Sequence, residues 1–168
     1  RWNAMSPDQQ RDGFIEHDAT LVAAFESLEP TQRESLEFHL GFAPAPLSVS
    51  SFGGLRLNES AQHGWDVRVS ADATAGLKPA SALVLAELFA GDLGFLLGFV
   101  AKPEAAPGSA RLEILGSGYG LSISDSVAVV ASTDQPDATF AGPLEAALRL
   151  IAGRLRPEYT PADLTVTG

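Results

Sequence analysis

The chain has 168 residues, 45% of them hydrophobic, which is enough for one compact domain or two small ones and too apolar for a disordered polymer. It has no cysteine, which excludes a disulfide scaffold, a cysteine-based zinc site and a catalytic thiol of its own, so any thiol chemistry needs a thiol that arrives as cosubstrate. A formal net charge of −10, from 21 acids against 11 bases, repels phosphate; with no signal peptide at the start, it suggests a soluble, cytoplasmic protein that does not bind nucleic acid.

Ser6-Pro7-Asp8-Gln9 combines an N-cap, a proline at the first helical position, an acid in the first turn and a capping-box glutamine. The helix it opens carries Phe14, Leu21, Phe25 and Leu28 at helical spacing and ends near Glu29-Pro30. From Ser35 to Leu40, apolar Leu36, Phe38 and Leu40 alternate with Glu37 and His39, as in a short extended segment. Gly41 to Pro46 is a turn region. A second helix is expected from Leu47 or Ser48 to about Ser70, although Gly53, Gly54 and Gly64 weaken it.

Ala73 to Pro79 reads as a loop, and Ala80 to about Phe99 as a third, strongly apolar helix closed by Lys102-Pro103. Within it, Leu83 to Val100 carries Glu87 and Asp92 with two helix-weakening glycines beside them, so it reads as a buried helix or an oligomer contact and not as a membrane span.

The period then changes. Glu104 to Ser109, with Pro107-Gly108, reads as a linker. Leu112/Ile114, Leu121/Ile123 and Val127/Val129 alternate with a period of two, separated by turns at Gly116–Gly120 and Ser124–Ser126. Ala138–Ala141 and Leu164–Thr167 are further strand candidates. Pro143–Leu155 is an amphipathic helix with Leu144, Leu148, Ile151 and Leu155 on one face. The expected fold is therefore α+β, a helical half over 1–103 followed by a small α+β half over 109–168.

Glu59 and His63, four residues apart on the second helix, can point a carboxylate and an imidazole at one divalent ion. By spacing alone such a pair is more often a solvated surface pair. Leu55, Ala61, Trp65 and Val67 suggest a helix buried on more than one side, where a carboxylate needs a partner. Asp66, one turn on, is placed to orient the His63 ring. Gly116-Ser117-Gly118-Tyr119-Gly120 lies between two strands and reads as a hairpin turn, not a phosphate loop.

Arg56-Leu57-Asn58-Glu59 followed by His63-Gly64-Trp65-Asp66 resembles the metal-binding helix of the mycothiol-dependent maleylpyruvate isomerase family, within the wider DinB-like group of helical-bundle metalloproteins. Ala138 to Pro143, Gly153-Arg154-Leu155 and Leu164 to Gly168 resemble that family's small sterol-carrier-like domain. The resemblance implies a His/Glu/His metal triad, zinc as the favoured metal, mycothiol as cosubstrate, a small-molecule substrate and an actinobacterial setting. It also implies a metal-activated thiolate that adds to a cis double bond, allows rotation and is eliminated, or is instead transferred to an electrophile.

In that family a first-helix histidine completes the triad. Here it is expected to precede Arg1, with His17 and His39 as the in-chain candidates. Arg154, or its neighbours Arg149 and Arg156, would match the family arginine that assists with an acidic substrate. In their own right, basic residues near a helix end favour its dipole. The competing expectation is a non-catalytic metal- or small-molecule-binding or interaction protein on the same fold. A homo-oligomer is compatible with either reading.

Overall fold

The computed structural model of the protein describes residues 2–132 and 134–168. The fold is α+β, with a five-stranded sheet, a two-stranded ribbon and helices packed against them. Among the described residues no helix is long and apolar enough to cross a membrane.

Helix α1 (Pro7–Glu26) starts as its sequence dictates. Ser6 Oγ accepts from the Gln9 amide and Gln9 Oε1 accepts from the Ser6 amide, so two donors at the helix start are satisfied reciprocally. Its apolar stripe is only partly covered: Leu21, Phe25 and Leu28 are half-buried, whereas Phe14 is exposed. A short helix α2 (Pro30–Ser35) follows where the sequence suggested only a helix end. It reuses the same device, Glu29 N–H donating to Gln32 Oε1 at 2.9 Å with a proline at the first position. The expected extended segment narrows to β1 (Glu37–Phe38), paired antiparallel with β2 (Leu47–Ser48).

Helix α3 (Val49–Val69) begins where Ser48 Oγ accepts from the Ser51 amide at 3.1 Å. It runs unbroken through Gly53, Gly54 and Gly64. Gly54 has a packing reason, because a Cβ there would lie 2.3 Å from Leu88 Cδ1 of α4 (Pro79–Ala90).

The third helix is shorter than its apolar run suggested. It ends at Ala90, and a turn at Gly91–Leu93 leads into a 3-10 segment over Gly94–Phe99. Two observations account for the break. Gly94 approaches the Phe89 carbonyl so closely that a Cβ would sit 2.9 Å from its oxygen. Asp92 turns back to accept a 2.6 Å hydrogen bond from Ser51 Oγ at the start of α3.

The large sheet has the order β5-β4-β3-β6-β7, formed by β3 (Ala110–Ile114), β4 (Tyr119–Ile123), β5 (Val127–Ala131), β6 (Ala138–Ala141) and β7 (Thr165–Thr167). β3 and β6 run parallel, and the other neighbouring strands of this sheet are antiparallel. Gly116 and Gly118, both at positive φ, make the β3–β4 connection a hairpin turn. Register brings Leu121 opposite Val129 and Ile114 opposite Phe140, and all four are buried.

Those residues meet Leu85, Ala86 and Phe89 of α4, Trp65 of α3 and Ala146, Ala147 and Leu148 of α5 (Leu144–Ile151) in one continuous core. The core thus crosses the stretch between residues 103 and 109, and α4 packs on α3, α5 and β5 together.

Helix α5 also stops earlier than expected. Gly153 takes φ +69°, its amide donates to the Leu150 carbonyl at 3.0 Å, and the Arg154 amide donates to the Arg149 carbonyl at 2.7 Å. This left-handed C-terminal closure ends the helix and turns Arg154 back toward α3.

Candidate functional site

The C-terminal half of α3 forms one wall of a cavity of about 210 Å³. Asn58, Glu59, Gln62 and His63 line it from α3, Phe89 from α4, Leu96, Leu97 and Phe99 from the 3-10 segment with Val100 just after it, and Ile151 from the end of α5 with Ala152 and Arg154 beyond. One end is polar and the rest apolar, the usual character of a small-molecule site.

The polar end is a chain of three polar contacts. Glu59 Oε2 lies 3.3 Å from His63 Nε2, His63 Nδ1 lies 2.9 Å from Asp66 Oδ2, and Arg154 grips both Asp66 oxygens at 2.8 and 2.9 Å. Glu59 and His63 are close because residues four apart stack on one helix face. The expected burial around them is met in part: Trp65 is buried and Leu55 and Ala61 pack against the core, but Val67 is exposed, and Glu59 and His63 stand at the cavity rim with about half and two thirds of their side chains accessible.

The order of contacts fixes the chemistry of the His63 ring. The hydrogen bond from Arg154 holds the Asp66 carboxyl below its ordinary range; partial burial opposes this and His63 adds to it. An ionised Asp66 only accepts, so His63 Nδ1 carries a proton and donates. In the neutral imidazole, Nε2 then presents a lone pair to the Glu59 carboxylate. Two electron-rich atoms facing each other call for a proton or a metal cation between them.

The donor set fits a divalent ion in two respects. Ligands about 2.1 Å from a tetrahedral zinc lie roughly 3.4 Å apart, close to the observed separation. A carboxylate on the far nitrogen is the usual partner of a metal-ligating histidine, and Asp66 occupies that place. Among the described residues, no group of three or more His, Asp or Glu side chains is placed to hold a metal ion.

The in-chain candidates for a third ligand lie elsewhere. His17 is exposed on α1 beside the Trp2 ring, with ring centroids 6.3 Å apart, so it does not face inward. His39 is exposed just past β1.

The three arginines separate clearly. Arg154 lines the cavity, but Nε and Nη2 bind Asp66 and Nη1 donates to the Ala152 carbonyl. Arg149 is buried, grips Glu145 with two hydrogen bonds of 2.8 Å, donates to the Tyr159 carbonyl and lies over the Trp65 ring. It serves the core. Arg156 follows the turn and is exposed.

Sequence reasoning missed Gln62. Its side chain lines the cavity, is 3% exposed, and has hydrogen-bond partners for neither its amide nitrogen nor its oxygen. Leaving such a group unpaired costs about 1–3 kcal/mol. The available signal was its spacing, since Gln62 lies one turn before the buried Trp65 and so occupies a core-facing position of α3.

Compared with protein-family models, with curated proteins and with solved structures, the chain shows no significant match.

Proposed function

We propose that the protein is a metal-dependent, thiol-using enzyme of the maleylpyruvate isomerase-like kind, with Glu59 and His63 as two protein ligands of a divalent ion, zinc being favoured. The observation that carries this reading is the 3.3 Å approach of His63 Nε2 to Glu59 Oε2 while Nδ1 is committed to Asp66. When bound, such an ion lowers the pKa of a coordinated thiol and so makes a nucleophile at neutral pH. Asp66 keeps Nε2 free for the ion, and Arg154 holds Asp66 in place. Phe89, Leu97 and Ile151 exclude water from the apolar part of the cavity. A cytoplasmic setting suits the proposal, because small thiols are kept reduced there.

The alternative is a non-catalytic small-molecule-binding protein on the same fold. One observation favours it: all three Arg154 nitrogens already have partners in the protein, so the guanidinium works as a clamp on α3.

Metal analysis and zinc titration of the wild type, Glu59→Ala and His63→Ala test both readings. Zinc binding that either substitution abolishes supports the site, and mycothiol-dependent isomerisation of an activated cis double bond then supports the enzyme. Wild-type protein that binds no zinc would overturn the metal-dependent reading. Zinc binding without turnover would favour the alternative.

A further inference from the structure

Gln62 lines the cavity beside its polar end, and its carbonyl oxygen and NH2 group, both buried, have no hydrogen-bond partner in a side chain that is 97% buried. The cost of burying it unpaired disappears if a ligand supplies the missing partners. A carboxamide is planar, so its donor and acceptor point the same way and are matched by a group offering one acceptor and one donor side by side.

We infer that Gln62 is the recognition group of this cavity. It takes a neutral molecule with a planar donor–acceptor head, such as a primary amide, a lactam or an enol–carbonyl, on an apolar body. Phe89, Leu97 and Ile151 receive the body. Charge disfavours a simple carboxylate at this point. Glu59 is one turn back on the same helix, Asp66 already neutralises Arg154, and a carboxylate would leave the Gln62 oxygen unpaired. The inference rests on reading this cavity as the substrate site, but it does not need the metal.

The test uses benzamide, with ethylbenzene as its apolar counterpart and benzoate as its anionic one, each titrated into the intact protein by calorimetry and by NMR of the Gln62 side-chain amide. Benzamide should bind at least ten-fold more tightly than either counterpart and shift the Gln62 resonance. Gln62→Leu should remove that preference, and the unbranched Gln62→Met provides the same reading if the leucine variant does not fold. Three results would each overturn the inference: no benzamide binding at millimolar concentration, equal binding of benzamide and benzoate, or full benzamide affinity in a folded Gln62 variant. Zinc titration of the same wild-type sample reports separately on the metal, so either idea can fail while the other stands.

Discussion

Asp66 on α3 and Arg154 beyond α5 hold each other through two hydrogen bonds of 2.8 and 2.9 Å, although 88 residues separate them. The pair joins α3 to the segment after α5 at the mouth of the cavity. It depends on Gly153, whose left-handed backbone reverses the chain after α5. Asp66 in turn fixes which nitrogen of His63 faces Glu59.

If the proposed metal site is correct, its affinity follows this chain of contacts. Asp66→Ala should weaken zinc binding by about 10–100-fold, the usual effect of losing the partner of a metal-bound histidine. Arg154→Ala acts one contact further away and should weaken it less. Because the pair is partly exposed, Arg154→Ala should cost only about 1 kcal/mol of stability. Calorimetric zinc titrations and urea denaturation of both variants check this. Unchanged zinc affinity in Asp66→Ala would remove Asp66 from the site.

The same pair sets a pH dependence. The folded-state pKa of Asp66 is lowered, first by the hydrogen bond from Arg154 and then, against the opposing effect of burial, by His63. A lowered carboxyl pKa contributes stability that is complete above the unfolded-state value and is lost as pH falls through the folded-state value. The stability difference between wild type and Asp66→Asn should therefore shrink once pH drops below about 4. Urea midpoints measured across that range test it. The subtraction matters because Asp72, lowered by hydrogen bonds from Thr74, titrates in the same direction.

Arg149 should behave quite differently from Arg154. Its charge is buried, and its removal leaves Glu145, the Tyr159 carbonyl and the Trp65 face without their partner. Glu145 would keep only its bond from the Leu77 amide among these contacts. Arg149→Ala should destabilise the protein by about 3–5 kcal/mol, as breaking a buried ion pair does. Thermal or urea unfolding measures this, and a loss below about 1 kcal/mol would contradict the buried role assigned to Arg149.

What the sequence made legible was mostly local. The Ser6 capping box, the helix start at Ser48, the strand at Ala138–Ala141 and the glycine hairpin each depend on residues a few positions apart. The break after Ala90 was hidden because residues 83–100 are apolar on both sides of it, and the contact between Asp92 and Ser51 comes from far along the chain. In the candidate site, the spacing of Glu59, His63 and Asp66 could be read directly. Which arginine joins them could not, since Arg149, Arg154 and Arg156 are separated by the backbone reversal at Gly153 and not by any local pattern. Gln62 carries no motif of its own, and only its spacing to Trp65 places it on the core face.

The crossing of α3 and α4 gives a further test. At Gly54 two effects oppose each other. Replacing glycine by alanine inside a helix gains about 1 kcal/mol of propensity, while overpacking a tight contact costs about 1–3 kcal/mol. The added Cβ would fall 2.3 Å from Leu88 Cδ1, and Leu88 is only half-buried, so its side chain can rotate away at some cost in packing. Gly54→Ala alone should therefore be close to neutral. In a Leu88→Ala background the contact is gone, and the same substitution should show most of its propensity gain. A double-mutant cycle on unfolding free energies isolates the difference, which should reach about 1 kcal/mol. A cycle that closes to zero would mean that the helices do not approach at Gly54 as described, and that this glycine is not what sets their separation.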